Sequence, residues 1–271
     1  MLLSRWLYYF SSIPTLFRGI KNRWTMLRVF LGIRVPAPII VELENGLRFH
    51  VRTRMDIWVL KEACLDRQYE DASVAIKDGW NIIDIGAGLG DFALAAAKAH
   101  PSAVVYAYEP FPESFALLQE NLRLNQIENV RAFPLAVGAQ SGSMRLRAVS
   151  AEAVQQTTID AASAMRAVEI QVQSVTLDQA LAETNLPRCD YLKMDCEGAE
   201  YGILFNTPAA VLEKIDNICL EYHDGVTNFS HANLVRFFEL NGFQATWAPN
   251  PAHRNLGLLY AARATGLPSL E

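Results

Sequence analysis

The 271-residue sequence lacks any uninterrupted apolar run of 18 or more residues, which leaves no segment suited to crossing a bilayer as a helix. Cysteine is sparse: Cys64, Cys189, Cys196 and Cys219 show no C-x-x-C spacing, which excludes a zinc cluster or a disulfide framework and predicts plain buried thiols in a reducing compartment. Internal repeats and low-complexity tracts are absent, so a solenoid or a disordered tail protein is excluded. The apolar opening Leu2 to Phe17 is interrupted by Pro14 and followed by basic residues rather than an A-x-A-like site; export is not expected, and the predicted location is cytoplasmic.

Acidic residues are missing from positions 1–41, which hold Arg5, Arg18, Lys21, Arg23, Arg28 and Arg34. The remaining chain therefore carries 18 basic against 29 acidic residues, a net of −11, and this body repels nucleic-acid phosphates. Only the N-terminus can attract an anionic surface. Aromatic residues interleave with its arginines, and two readings stand open. Residues 1–35 form an amphipathic segment at the inner membrane face, or a helix packed on the protein's own core or on a second subunit. Oligomeric state is not fixed by the sequence.

With 51% hydrophobic and 20% charged residues, the rest reads as one large globular domain. The expected division is an N-terminal segment at 1–37 and a domain at 38–271, with a lead-in at 38–79 and a core at 80–271. Asn45-Gly46 between two apolar alternations predicts a β-hairpin, and Asp56 to Asp71 a helix. From Trp80 short apolar runs alternate with helical stretches, the pattern of βαβ units and a parallel sheet. Strands are expected at 81–85, 104–108, 130–137, 191–194 and 215–222, with helices at 92–100, 114–125 and 231–240. A closing pair of strands is expected at 243–247 and 256–263. An insertion at 139–174, with strands at 144–149 and 169–175, is a candidate wall or lid over a substrate; a helix at 177–183 follows it.

The stretch Asn81-Ile-Ile-Asp-Ile-Gly-Ala-Gly-Leu-Gly-Asp91 takes a buried strand through a glycine turn into a helix, so backbone and helix N-terminus can approach a ligand without Cβ obstruction. Gly86, Gly88 and Gly90 form G-x-G-x-G rather than the G-x-G-x-x-G of dinucleotide sites, and no lysine follows them. Asp84 and Asp91 would repel phosphate. An acid two residues before the first glycine suits instead the ammonium of S-adenosylmethionine. Glu109, 19 residues beyond Gly90 at the end of the second strand, stands where a carboxylate accepts hydrogen bonds from ribose hydroxyls.

The sequence resembles the FkbM family of S-adenosylmethionine-dependent methyltransferases. The resemblance is carried by Tyr69-Glu70, Ile83-Asp-Ile-Gly-Ala-Gly-Leu-Gly, Val105-Tyr-Ala-Tyr-Glu-Pro, Glu120-Asn-Leu-Arg-Leu-Asn and Leu135-Ala-Val-Gly. It continues through Val175-Thr-Leu-Asp, the block Asp190-Tyr-Leu-Lys-Met-Asp-Cys-Glu-Gly-Ala-Glu200, and Glu221-Tyr-His223, spanning roughly residues 39 to 263. It implies an α/β Rossmann-like class I methyltransferase fold, a mostly parallel seven-stranded sheet with an antiparallel closing strand. It also implies O-methylation of a hydroxyl on a sugar, glycolipid or polyketide-like metabolite, and adds Tyr69, Ala87, Pro110, Ala136 and Val137 to the expected cofactor contacts.

Lys193, Asp195, Glu197 and Glu200 cluster at a strand terminus, a poor way to build a core and a usual place for ligands in open α/β sheets. An alcohol acceptor requires a base as its oxygen attacks the methyl group. Asp195 and His223 are the two candidates, His223 on its intrinsic pKa. Lys193 is expected to steady Asp195 or Glu197, and Glu197 to orient acceptor hydroxyls. Asp195 and Glu197 could also take Mg²⁺, but without a second acidic cluster no metal is expected. Two rival functions remain. A nucleic acid base methyltransferase is disfavoured by the acidic body and the missing Pro-Pro-aromatic and Pro-Cys blocks; a non-catalytic scaffold is disfavoured by the intact Asp84, glycine turn and Glu109.

Overall fold

The computed structural model describes residues 2–70, 75–149, 167–184 and 186–263, and the side chains of all of these except 2–6, 147–149 and 167–168. Its central strands are the continuous apolar runs of the sequence. β3 (Asn81–Ile85), β4 (Val104–Tyr108) and β9 (Cys189–Met194) are buried on both faces, as interior strands of a parallel sheet must be. With β5 (Val130–Phe133), β10 (Ile215–His223), β11 (Phe243–Pro249) and β12 (Leu256–Arg263) they form a seven-stranded sheet in the order β11-β12-β10-β9-β3-β4-β5. Only β12 runs against the others, slotted between β10 and the edge strand β11. The expected fold class is the one observed.

Helices cover the sheet: α4 (Asp91–Ala99) and α5 (Pro112–Asn125) between the first strands, and α9 (His231–Leu240) before β11. The expected strand at 130–137 divides at Pro134, which cannot donate to a ladder. After it, β6 (Ala136–Val137) leaves the main sheet and pairs with β8 (Ala167–Val175), itself antiparallel to β7 (Gly142–Val149). The polar middle of the insertion, 150–166, lies outside the described residues. α6 (Leu177–Thr184) follows β8, and α7 (Glu200–Phe205) and α8 (Ala209–Leu212) follow β9.

Upstream, β1 (Ile39–Glu42) and β2 (Arg48–Val51) make the expected hairpin, with Gly46 at φ +81° in its turn. The hairpin is fastened to α5 by two asparagines. Asn121 accepts the His50 amide and donates to the Leu89 carbonyl of the glycine turn, and Asn125 bridges both backbone groups of Arg48. α3 (Arg54–Leu60) begins earlier than its apolar spacing indicates because Thr53 and Asp56 close a capping box, and it ends in one π-helical turn at Lys61–Leu65. The N-terminal segment folds as α1 (Leu2–Gly19) and α2 (Arg23–Phe30). Leu16, Ile20 and Met26 are buried in the core shared with α3 and β1, and the backbone of Gly19 to Lys21 bonds alongside Glu42 to Glu44. Among the described residues no helix is long and apolar enough to cross a membrane.

Candidate active site

The glycine turn is built by crowding. Gly86 and Ala87 both donate to the Tyr108 carbonyl, which draws the chain across the tip of β4. A Cβ on Gly86 would lie 1.8 Å from the Asp195 carbonyl oxygen, and one on Gly90 2.5 Å from Leu118; both glycines have positive φ. Gly88, at φ +54°, faces open space, with nothing nearer than an Asp91 carboxylate oxygen at 3.7 Å. Crowding explains Gly86 and Gly90, while the space above Gly88 is free for a ligand.

Two buried carboxylates border this turn. Glu109 accepts the Gly88 amide on one oxygen and the Phe111 amide on the other, each at 2.8 Å. Each oxygen keeps a lone pair, so the ribose role expected of Glu109 stays open to it. Burial pushes its carboxyl up to about 7, against the pull of those two amides. Asp84 is fully buried; Oδ1 lies 2.9 Å from the Lys193 ammonium, and Oδ2 has no hydrogen-bond partner. An orphaned carboxylate oxygen beneath a helix N-terminus and a Cβ-free cradle fits a ligand with an ammonium and hydroxyls, as S-adenosylmethionine has.

Lys193 was expected to steady Asp195 or Glu197, and the structure places its ammonium elsewhere. It donates to the Gly86 carbonyl at 2.8 Å, pairs with Asp84 and lies 5.0 Å from the centre of the Tyr69 ring. Burial would lower its pKa, but Asp84, Asp195 and Asp91 outweigh that and keep it charged. Lys193 thus belongs to the floor of the cofactor turn. Tyr69, expected at the cofactor, sends its hydroxyl to Asp195 Oδ2 at 2.9 Å while its ring packs edge-on against Phe92. Ala136 and Val137 are buried in β6, paired with Ser174 and Val175. Ala87 is buried in the turn, and Pro110 is half-buried directly after Glu109.

Asp195 joins two regions. Its amide continues β9 by bonding to Ile85, its carbonyl abuts Gly86, and its side chain lines a cleft of about 270 Å³. Strand ends supply Asp195, Glu197, Glu221 and His223 to that cleft, and the β11–β12 connection supplies Asn250 and His253. The opposite contributions come from Tyr9, Phe30, Arg54, Met55, Trp58 and Glu62, all from α1 to α3 and the π turn. The insertion was expected to wall this site, yet none of its described residues lines the cleft. The N-terminal helices stand there instead, a role not foreseen from their sequence.

His223 is buried with both ring nitrogens facing acids, Nδ1 at 3.4 Å from Glu200 and Nε2 at 3.4 Å from Glu197. Burial works against its charge, but Glu200, Asp195 and Glu197 prevail and push its pKa up to about 10. At neutral pH it is an imidazolium that donates rather than accepts, which removes the ground on which it was expected to be a base. Burial and Asp195 push Glu197 up as well, to about 7, with His223 opposing. Glu197 stands at φ +54°, held in the left-handed region next to Gly198. Burial and Asp195 also raise Glu221 well above the carboxylate range. Asp195, Glu197 and His223 each offer an atom within 4.8 Å of the others, the spacing of a divalent cation site, but His223 would first have to lose its proton to serve as a ligand.

Comparison with known proteins agrees with this geometry. Residues 84–245 match the methyltransferase FkbM domain. Methyltransferase 1 of Beauveria bassiana is 28% identical over 71% of this chain and 84% of its own length. The 31-O-demethyl-FK506 methyltransferase FkbM of Streptomyces tacrolimicus is 26% identical over 68% of this chain and 81% of its own. The crystal structure of Methyltransferase FkbM from Methylobacillus flagellatus shares the fold, with a TM-score of 0.50 at 14% identity over 77% of this chain and 54% of that one. Because the domain match begins at Asp84, takes in the glycine turn and the Asp195 block and covers more than half of the chain, the protein belongs to the FkbM family of S-adenosylmethionine-dependent methyltransferases.

Proposed function

We propose that the protein methylates a hydroxyl oxygen of a sugar, glycolipid or polyketide-like acceptor. The observation that carries this reading is the position of Asp195, whose backbone packs against the cofactor turn while its carboxylate opens into the cleft. Carboxylates on the floor and Tyr9, Phe30 and Trp58 on the walls suit a ligand with several hydroxyls and apolar faces. The net charge of −11 beyond residue 41 opposes a phosphate backbone, which favours a small or glycan acceptor over a nucleic acid.

S-adenosylmethionine, when bound, supplies an electrophilic methyl group on sulfonium. The chain's own part is placement, exclusion of water and removal of a proton. Attack requires the acceptor oxygen about 3 to 3.5 Å from the methyl carbon and in line. Asp84, Glu109 and the open space above Gly88 fix one side of that approach; the aromatic walls and Glu221 fix the other. Asp195, held by the Tyr69 hydroxyl, would receive the acceptor proton as the acceptor oxygen takes the methyl carbon and the methyl–sulfur bond breaks, the sulfonium leaving as a neutral thioether. Glu197 orients a second hydroxyl, with the His223 imidazolium behind it and Glu200 behind His223. Lys193 opposes the rise that burial imposes on the Asp84 carboxyl. The free thiols, two of them buried, support a cytoplasmic setting.

The reading is tested by incubating the protein with methyl-labelled S-adenosylmethionine and cell extract fractionated by polarity, followed by mass spectrometry of labelled products. Label on an ether oxygen supports it. Label confined to nucleic acid or protein fractions contradicts it.

A further inference from the structure

The N-terminal helices have two faces, and only one is explained by the fold. Inward, Leu16, Ile20 and Met26 complete the core, and Tyr9 and Phe30 wall the cleft. Outward, Leu7 and Phe10 are 60% and 61% exposed, and the same face of α1 continues through Pro14 to Arg18 at helical spacing. Trp24 and Arg28 of α2 and Leu31 at its C-terminal cap repeat that spacing, with Trp24 81% and Leu31 71% exposed. Isolated exposed apolar residues need no explanation, but large ones recur here at helical spacing on two helices consecutive in the chain, each time with an arginine among them.

Its charge indicates the partner. Lys21 and Arg23 are answered by Glu42 and Glu44 of the hairpin, at 2.7 and 3.5 Å. Arg18, Arg28 and Arg34 are exposed, and no acid occurs before Glu42. This positive, apolar face sits on a body of net −11. Large apolar groups interleaved with arginines, on a helix that lies along the surface and cannot span a bilayer, match the acyl–headgroup boundary of an anionic membrane.

We propose that the outer face of α1 and α2 docks the protein on an anionic lipid surface, and that the cleft beneath it takes an amphiphilic or lipid-linked hydroxyl acceptor from that surface. The docking stands on the exposed face alone; the nature of the acceptor rests on the proposed methyl transfer. Because both helices carry cleft side chains, membrane contact and access to the acceptor are made by one layer.

The test uses the full chain with vesicles of phosphatidylcholine, with or without phosphatidylglycerol. Co-sedimentation is expected only with the anionic vesicles and is expected to fall as salt rises. Each arginine near the surface contributes about fivefold to partitioning, so Arg18→Gln, Arg28→Gln and Arg34→Gln together should weaken it about 100-fold. Trp24→Ala with Leu31→Ser should weaken binding to anionic vesicles at every salt concentration. S-adenosylmethionine affinity, measured by calorimetry on each variant, should be unchanged and reports folding. Equal sedimentation with both vesicle types, or none, overturns the docking while leaving the methyl transfer reading intact. So does self-association without lipid that Trp24→Ala abolishes, since the face would then be covered by a second copy. Vesicle binding without any O-methyl product keeps the docking and removes the acceptor assignment.

Discussion

Replacing Gly86 and Gly88 singly by alanine separates the architecture of the cofactor turn from its chemistry. Both residues have positive φ, so each alanine costs about 1 to 2 kcal/mol in the left-handed region. At Gly88 the cost ends there, because the new methyl group has nothing in the protein within ordinary contact distance except Asp91 at 3.7 Å. At Gly86 the methyl group would lie 1.8 Å from the Asp195 carbonyl, backbone that cannot rotate away. Moving the end of β9 adds roughly 1 to 3 kcal/mol of overpacking. Gly86→Ala should therefore melt lower than Gly88→Ala by a few degrees to about ten, at roughly 2 to 4 °C per kcal/mol for a domain of this size. Gly88→Ala should stay folded yet bind S-adenosylmethionine much more weakly, since its methyl group occupies the space meant for the ligand. Thermal melts and calorimetry on the two variants give both numbers. Equal melting temperatures would refute the crowding argument, and wild-type affinity in Gly88→Ala would refute the placement of the cofactor.

Three further outcomes follow from the same geometry. Tyr69→Phe removes a charge-assisted hydrogen bond to Asp195, worth about 1.5 to 3 kcal/mol, so turnover should fall by roughly 10- to 100-fold with cofactor affinity nearly constant. Glu109 binds ribose as a carboxylate but has its own pKa raised to about 7, so S-adenosylmethionine affinity should drop as pH falls below 7, by up to about tenfold per pH unit, and Glu109→Gln should flatten that slope in calorimetry. The folded pKa of His223, about 10, lies above its unfolded value near 6.5; its contribution to stability is complete below about 6.5 and is lost as pH rises toward 10. Denaturant unfolding across that range should therefore show a smaller decline in His223→Gln than in the wild type.

Much of this was legible from local pattern. The strands 81–85 and 104–108 and the helix 231–240 have the bounds that apolar runs and turn residues indicate, because each is decided by its own few residues. The strand at 130–137 was overextended since Val130 to Val137 is apolar enough to mask the break at Pro134. The short α7 is not marked by the charge of Glu200, the only one of its residues that the sequence analysis singles out, because the helix uses Tyr201, Ile203 and Leu204 to reach the core. At the site, Asp84, Gly86, Gly88, Gly90 and Glu109 do gather, as their spacing indicates. What spacing could not convey is contact across long separations. Tyr69 meets Asp195 over 126 positions, and Tyr9 shares a cleft with His253. The charge state of His223 was hidden for the same reason, since it depends on Glu200 and Glu197 closing on both ring nitrogens. The asparagines of Glu120-Asn-Leu-Arg-Leu-Asn carry no chemistry; they bind the hairpin and the glycine turn to α5.

In the proposed methyl transfer the carboxylate of Asp195 receives the proton of an acceptor hydroxyl beside the cofactor turn. The most direct test of that step is a single-turnover reaction with methyl-labelled S-adenosylmethionine and the acceptor isolated from the labelled extract, comparing wild type with Asp195→Asn and locating the label by nuclear magnetic resonance. Label is expected on an ether oxygen, with a rate lowered by about 10² to 10⁴ in Asp195→Asn and unchanged cofactor affinity. Label on nitrogen or carbon, or an undiminished chemical step in Asp195→Asn, would contradict it.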